Sequence, residues 1–123
     1  MTPEAAQAGE SNRNRMTEAW IVLCTCPEEA ADRLARTVVE QKLAACVNIT
    51  TARSVYRWRG QIETAAESLL IMKVACTHYE DLEQRLRAIH PYELPEILAI
   101  PVERGLPAYL AWLADPDAAE PSP

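Results

Sequence analysis

The amino-acid sequence predicts an α+β fold of split β-α-β type: an antiparallel four-stranded sheet, both long helices on one face, and a short helix added at the C-terminal end. Three observations predict it. Apolar, β-branched runs alternate with stretches of helical periodicity in the order strand, helix, strand, strand, helix, strand, helix. The two middle strands abut at Arg59-Gly60, where glycine supplies a hairpin turn, and right-handed crossovers then place both long helices on the same side of the sheet. Finally, 123 residues provide one core and not two. That core is expected over residues 18–115 as a single ferredoxin-like domain. Residues 1–17 lack apolar periodicity and residues 116–123 hold three prolines and two acids, so both ends read as disordered tails. Met16, directly before TEAWIVLCT, is a second candidate for the start of translation.

The first strand is AWIVLCT, Ala19 to Thr25, a short apolar run of the kind that is buried in a sheet. Pro27, Glu28 and Glu29 open the first helix, because proline presets φ and the acids meet the helix dipole favourably. Ala31, Leu34, Ala35, Val38 and Val39 recur at helical spacing toward an end near Leu43. CVNIT and SVYRWRGQIETAAESLLIMKVAC supply the central hairpin. Thr77 with Glu80 reads as a capping box for the second helix, whose stripe is Leu82, Leu86 and Ile89 and which Pro91 stops. ILAIPV is the fourth strand, and Gly105 and Pro107 introduce the last helix with Leu110 and Leu113.

These lengths do not match. Residues 61–76, if mostly strand, extend roughly 50 Å, whereas helices of about 14 to 17 residues cover only about 21 to 25 Å. The hairpin therefore overhangs, carrying Val55, Tyr56, Trp58 and Ile62. A projecting ribbon of that composition needs another chain to cover it, so a homo-oligomer is expected. The alternative is a bulge near Thr64-Ala65-Ala66 that folds the hairpin back over its own sheet.

A formal net charge of −6, with the Lys and Arg residues scattered, gives no basic stripe, so nucleic acid is not an expected partner. No apolar run approaches the ~20 residues that span a bilayer, and the first residues lack the apolar heart of a signal peptide; no membrane partner and a cytoplasmic location are expected. Cysteines 24, 26, 46 and 76 fall in no zinc-ribbon or disulfide spacing and read as free thiols. Glycine at 9, 60 and 105 makes no phosphate loop, no HExxH or EF-hand spacing occurs, and the two histidines, 78 and 90, flank one helix. No enzymatic machinery is visible.

Five residues remain as candidates for chemistry. Cys46, at the exit from the first helix, is either a small packing residue or a soft thiolate ligand for copper or zinc. Cys24 and Cys26, two apart on a strand, share a face and read as packing. Lys73, alone in LLIMKVA, either snorkels outward or meets an anion or carboxylate in a cleft. His90 caps a helix dipole, yet it also clusters with Glu93 and Glu96 in HPYELPEI, a segment stiffened by Pro91 and Pro95 as a ligand site requires.

Thr25-Cys26-Pro27, KLAACVN (42–48), SVYRWRGQIE (54–63), the lone Lys73, HPYELPEI (90–97) and PAYLAWL (107–113) stand in one order and spacing. In that combination the chain closely resembles the CutA divalent-cation tolerance family over about residues 18 to 115. The resemblance implies a cytoplasmic, ferredoxin-like homotrimer, its hairpins extending across neighbours, linked to tolerance of copper and other divalent metal ions. It implies no settled enzymatic activity. Carried over by position, Cys46, Trp58, Lys73, His90, Tyr92 and Glu96 match characteristic residues expected around a cleft between subunits. The metal would be a divalent ion, copper(II) among the candidates, with Cys46, His90 and Glu96 as ligands and Trp58, Lys73, Tyr92 and Glu93 around the cleft. Fold analogy alone supports the alternative, a PII-like signalling or scaffold trimer binding a small anion through Lys73, or a protein partner.

Overall fold

A computed structural model describes residues 18–118. The tails expected at 1–17 and over most of 116–123 lie outside the described residues. Strands β1 (Ala19–Cys26), β2 (Cys46–Trp58), β3 (Gln61–Ala75) and β4 (Leu98–Pro101) form one sheet in the order β2-β3-β1-β4, every pairing antiparallel. Helix α1 (Ala31–Glu40) connects β1 to β2, α2 (Tyr79–Ile89) connects β3 to β4, and α3 (Pro107–Ala114) follows. This is the ferredoxin-like α+β arrangement the element order predicts.

Strand alternation divides the sheet into two faces. Val22, Cys24, Cys26, Leu70, Met72 and Val74 point to one, where they pack with Leu34 and Val38 of α1 and Leu82 and Leu86 of α2 in a fully buried core. The other face carries Ile21, Leu23, Leu69 and Ile71, and across the register from them Leu98 and Ile100 of β4. Leu98 is 57% exposed and Ile100 51%.

The helix termini differ from expectation in instructive ways. The first helix opens with a 3₁₀ turn at Glu28–Ala30 and its regular part ends at Glu40, short of Leu43. Lys42 then takes a left-handed conformation (φ 61°), Lys42 N–H donates to Val39 O (3.0 Å) and Leu43 N–H to Val38 O (2.9 Å). That is a Schellman closure with lysine where glycine is usual, and it turns Leu43 back onto the core. The capping box does not form: Thr77 lies inside a 3₁₀ turn (Cys76–His78), and helix α2 starts at Tyr79 without a side-chain cap. The chain gains its entry angle from that turn instead.

The hairpin register runs unbroken from Cys46↔Lys73 to Trp58↔Gln61, so no bulge occurs at Thr64–Ala66. Its turn places both Arg59 (φ 51°) and Gly60 (φ 79°) at positive φ, the geometry that matches the twist of two-residue hairpins. β1 pairs with β3 only over residues 68–75, leaving the distal halves of β2 and β3 as a two-stranded arm. The helices, at 10 and 11 residues, are shorter than expected. The mismatch with a 15-residue β3 is accordingly larger.

Two substitutions test this account by urea denaturation. Lys42→Gly is expected to stabilise by about 0.5–1 kcal/mol, because glycine adopts the left-handed position without strain. Leu34→Ala, at a fully buried position, is expected to cost about 2–5 kcal/mol through the cavity it leaves.

Candidate functional site

The arm does not project straight outward. The Arg59 guanidinium at its tip donates to Glu93 Oε2 (2.8 Å) in the loop between α2 and β4, so the arm arches over that loop. Between them lies a cavity of about 710 Å³. Alternation puts Ser54, Tyr56 and Trp58 of β2, Glu67 of β3 and Thr25 of β1 on the face away from α1 and α2, and these residues form its roof. Tyr92, Glu93, Leu94 and Glu96 form its floor, with Arg53 and Val55 at the edges.

The floor is fixed by His90. This residue leaves the helix in an extended conformation ahead of Pro91 and is only 8% exposed. Its Nε2–H donates to the Thr25 carbonyl (2.8 Å), and its Nδ1 accepts from the Tyr92 backbone N–H (3.1 Å). A carbonyl accepts only and an amide N–H donates only, so these partners define the neutral Nε2–H tautomer. Both ring nitrogens are thereby engaged within the chain. The ring also rests against Tyr92, centroids 4.9 Å apart.

Tyr92 in turn donates its phenol to Glu67 Oε2 (2.6 Å). Burial, then the Glu67 carboxylate as acceptor and neighbour, pushes the Tyr92 phenol well above its ordinary range, so it stays a donor. Glu67 itself is 5% exposed and lines the cavity. Its second oxygen, Oε1, makes no hydrogen bond among the described residues and is not sealed from solvent, so it opens into the cavity. At the rim, Arg59 stacks over the Trp58 ring at 5.2 Å.

The residues singled out in the sequence thus fall into two groups. Trp58, Tyr92, Glu93 and Glu96 meet in the cavity, with His90 holding its floor from behind. Cys46 and Lys73 are cross-strand partners at the opposite end of β2. There Lys73 Nζ donates to Asn48 Oδ1 and lies 4.0 Å from Cys46 Sγ, so the lysine meets an amide and a thiol, not a carboxylate. Among the described residues no three His, Cys, Asp or Glu side chains gather as a metal shell, so Cys46, His90 and Glu96 do not meet within one chain. Glu67 and Arg53, charged residues of the cavity's lining, were not among the candidates read from the sequence. The sequence signal for Glu67 was its parity with Lys73 on β3, which places both on one face.

Fold and site together define a small ferredoxin-like protein with an overlong central hairpin and a cavity beneath its arm. Residues 20–116 match the family model described as CutA1 divalent ion tolerance protein. The chain belongs to that family. It is 43% identical over 97 residues to the divalent-cation tolerance protein CutA of Thermus thermophilus, covering 77% of this chain and 94% of that one. It is 46% identical over 91 residues to the mouse protein CutA, covering 72% of this chain but 51% of the mouse protein, so it spans about half that relative's length. Among solved structures, the Thermus thermophilus protein superposes with a TM-score of 0.75 over 77% of this chain and 94% of that one. The PII-like protein CutA from Nostoc, in apo form, gives 0.74 at 40% identity, over 76% of this chain and 92% of that one.

Burial separates the four thiols. Cys24 and Cys26 are sealed in the core, and burial, with Cys26 and then Glu96 and Glu67 adding, raises the Cys24 thiol from the ordinary 9.0 to about 12. Cys46 and Cys76 are half-buried. In native protein at pH ~8, iodoacetamide is expected to label Cys46 and Cys76 and spare Cys24 and Cys26 until urea is added, as peptide mass mapping would read. The folded chain holds the Cys24 proton where an unfolded thiol has lost it. The stability this contributes is full below pH 9.0 and declines as pH rises from there toward about 12. Cys24→Ala is expected to flatten the alkaline loss of stability by up to ~1.4 kcal/mol per pH unit.

Proposed function

We propose that this chain works as a cytoplasmic homotrimer in the cell's response to divalent metal ions, as a binding protein and not an enzyme, with metal ligands shared between subunits. The observation that carries the reading is exposed Leu98 (57%) and Ile100 (51%) of β4, beside half-buried Leu23 and Ile21 on the face away from α1 and α2, together with an arm that exposes Val55 (71%) and Ile62 (69%). Exposed apolar area of that extent belongs against another protein surface. Membership of a divalent ion tolerance family supports the metal part. The free thiols suit a reducing compartment.

Sharing of ligands follows from the donor inventory. Within one chain Cys46 and Glu96 are lone donors far apart along β2 and its partner loop, and His90, with its proton on Nε2, has a lone pair for a metal only if Nδ1 gives up the Tyr92 N–H. A soft or borderline ion needs about four donors, so a second subunit must complete any shell. A thiolate with oxygen and imidazole donors suits copper or zinc, and copper(II) is the ion we propose.

Light scattering after size exclusion is expected to give three times the chain mass, and a monomer would sink the assembly. Isothermal titration with Cu(II) and Zn(II) is expected to weaken in Cys46→Ser and to disappear in an Ile100→Glu variant driven to monomer. Unchanged binding in that monomer would remove the shared-ligand reading. His90→Ala is expected to lose stability by about 1–3 kcal/mol, from the stranded Thr25 and Tyr92 backbone groups, more than it loses metal affinity.

A further inference from the structure

Beyond metal binding, we propose that the cavity beneath the arm takes a small organic cation, an alkylamine or guanidinium compound, held by the Glu67 carboxylate and the faces of Tyr56, Trp58 and Tyr92. The cavity's size, about 710 Å³, falls in the range of small-molecule sites. Its lining sets the charge of the occupant. Three carboxylates, Glu67, Glu93 and Glu96, face one guanidinium, Arg53. Pairing of Glu93 with Arg59 leaves Glu67 and Glu96 against Arg53, an acidic remainder.

Glu67 is the strongest of these features. An almost fully buried carboxylate ordinarily has a cationic partner, yet the described residues give Glu67 a single hydrogen bond, from a neutral phenol, and no salt bridge. Its free oxygen faces the cavity. A ligand N⁺–H arriving there gains a charge-assisted hydrogen bond in a site whose desolvation has already been met by folding.

The aromatic residues supply the second half of the recognition. Tyr56, Trp58 and Tyr92 line the same space, and ring faces attract amines and guanidinium groups. The chain contains its own precedent. At the rim, Arg59 is held between the Trp58 ring and the Glu93 carboxylate, so a carboxylate paired with an aromatic face already binds one guanidinium here. Inside the cavity, Glu67 with Tyr56 and Tyr92 repeats that combination, and among the described residues no cation is ion-paired with Glu67.

The test is isothermal titration of the native full-length protein with agmatine and, separately, spermidine, in excess EDTA. With divalent ions removed, failure of the metal reading leaves this result untouched. Saturable binding at one site per chain is expected, weakened by added salt and by roughly tenfold or more in Glu67→Gln, which keeps an acceptor for Tyr92 but loses the charge. Glu96→Gln, on the floor of the cavity, is expected to weaken binding about threefold and serves if the Glu67 variant fails to fold. Glutamate and inorganic phosphate should not bind. Absence of saturable amine or guanidinium binding, equal affinity in wild type and both variants, or tighter binding of phosphate would each overturn the proposal.

Discussion

The unbroken register of the β2–β3 hairpin is the constraint on which the rest of the molecule depends. Because Trp58 opposes Gln61 across a two-residue turn, every pair back to Cys46 and Lys73 is fixed, and with it the face to which each side chain points. A slip of one residue would send Glu67, Tyr56 and Trp58 to the helix side and bring Leu70 and Met72 out of the core. The positive φ of Arg59 and Gly60 thus defines both the core and the cavity. Packing of α1 and α2 on Leu70, Met72 and Val74 reinforces one register. Among the described residues of one chain no comparable packing acts on the arm, which within the chain relies on the turn and its contact with the loop.

That contact gives the loop between α2 and β4 its importance. Its stiffness arises less from Pro91 and Pro95 than from His90, which ties Thr25 of β1 to Tyr92 through both ring nitrogens. The imidazole acts as a three-way joint among helix, strand and loop. From it the order passes outward through Tyr92 to Glu67 on β3, so floor and roof of the cavity are joined by one chain of hydrogen bonds.

Much of this was legible in the sequence, for reasons that differ by residue. The fold was readable because AWIVLCT, the α1 stripe and Arg59-Gly60 each pointed to the same arrangement, and the overhang followed from lengths alone. The helix ends were not. Thr77 and Glu80 have the composition of a capping box, but the chain leaving β3 approaches α2 through a 3₁₀ turn, and composition carries no approach angle. Lys42 offers no hint of its left-handed conformation, since nothing about lysine favours it. The site divided where sequence proximity and spatial proximity part: HPYELPEI kept its aromatic and acidic residues together, whereas Cys46 lies at the far end of the same strand as Trp58, with Lys73 opposite it on β3. Glu67 escaped notice because an acid just before an apolar run looks like a solvated boundary, and only the arch of the arm buries it.

The sheet order β2-β3-β1-β4 also has a kinetic consequence. β1 leaves the ribosome first, yet both of its edges are paired by strands made later, β3 and β4. The hairpin can zip locally as soon as Gly60 and its flanks emerge, while AWIVLCTC, apolar on both faces, must stay unpaired until residues 68–75 arrive. At synthesis rates of roughly 5–20 residues per second that interval is on the order of seconds, long compared with hairpin formation in microseconds. Nascent chains of this fold therefore carry an apolar strand ahead of the strands that cover its edges, and α1, forming directly behind it, is the first element available to shield it.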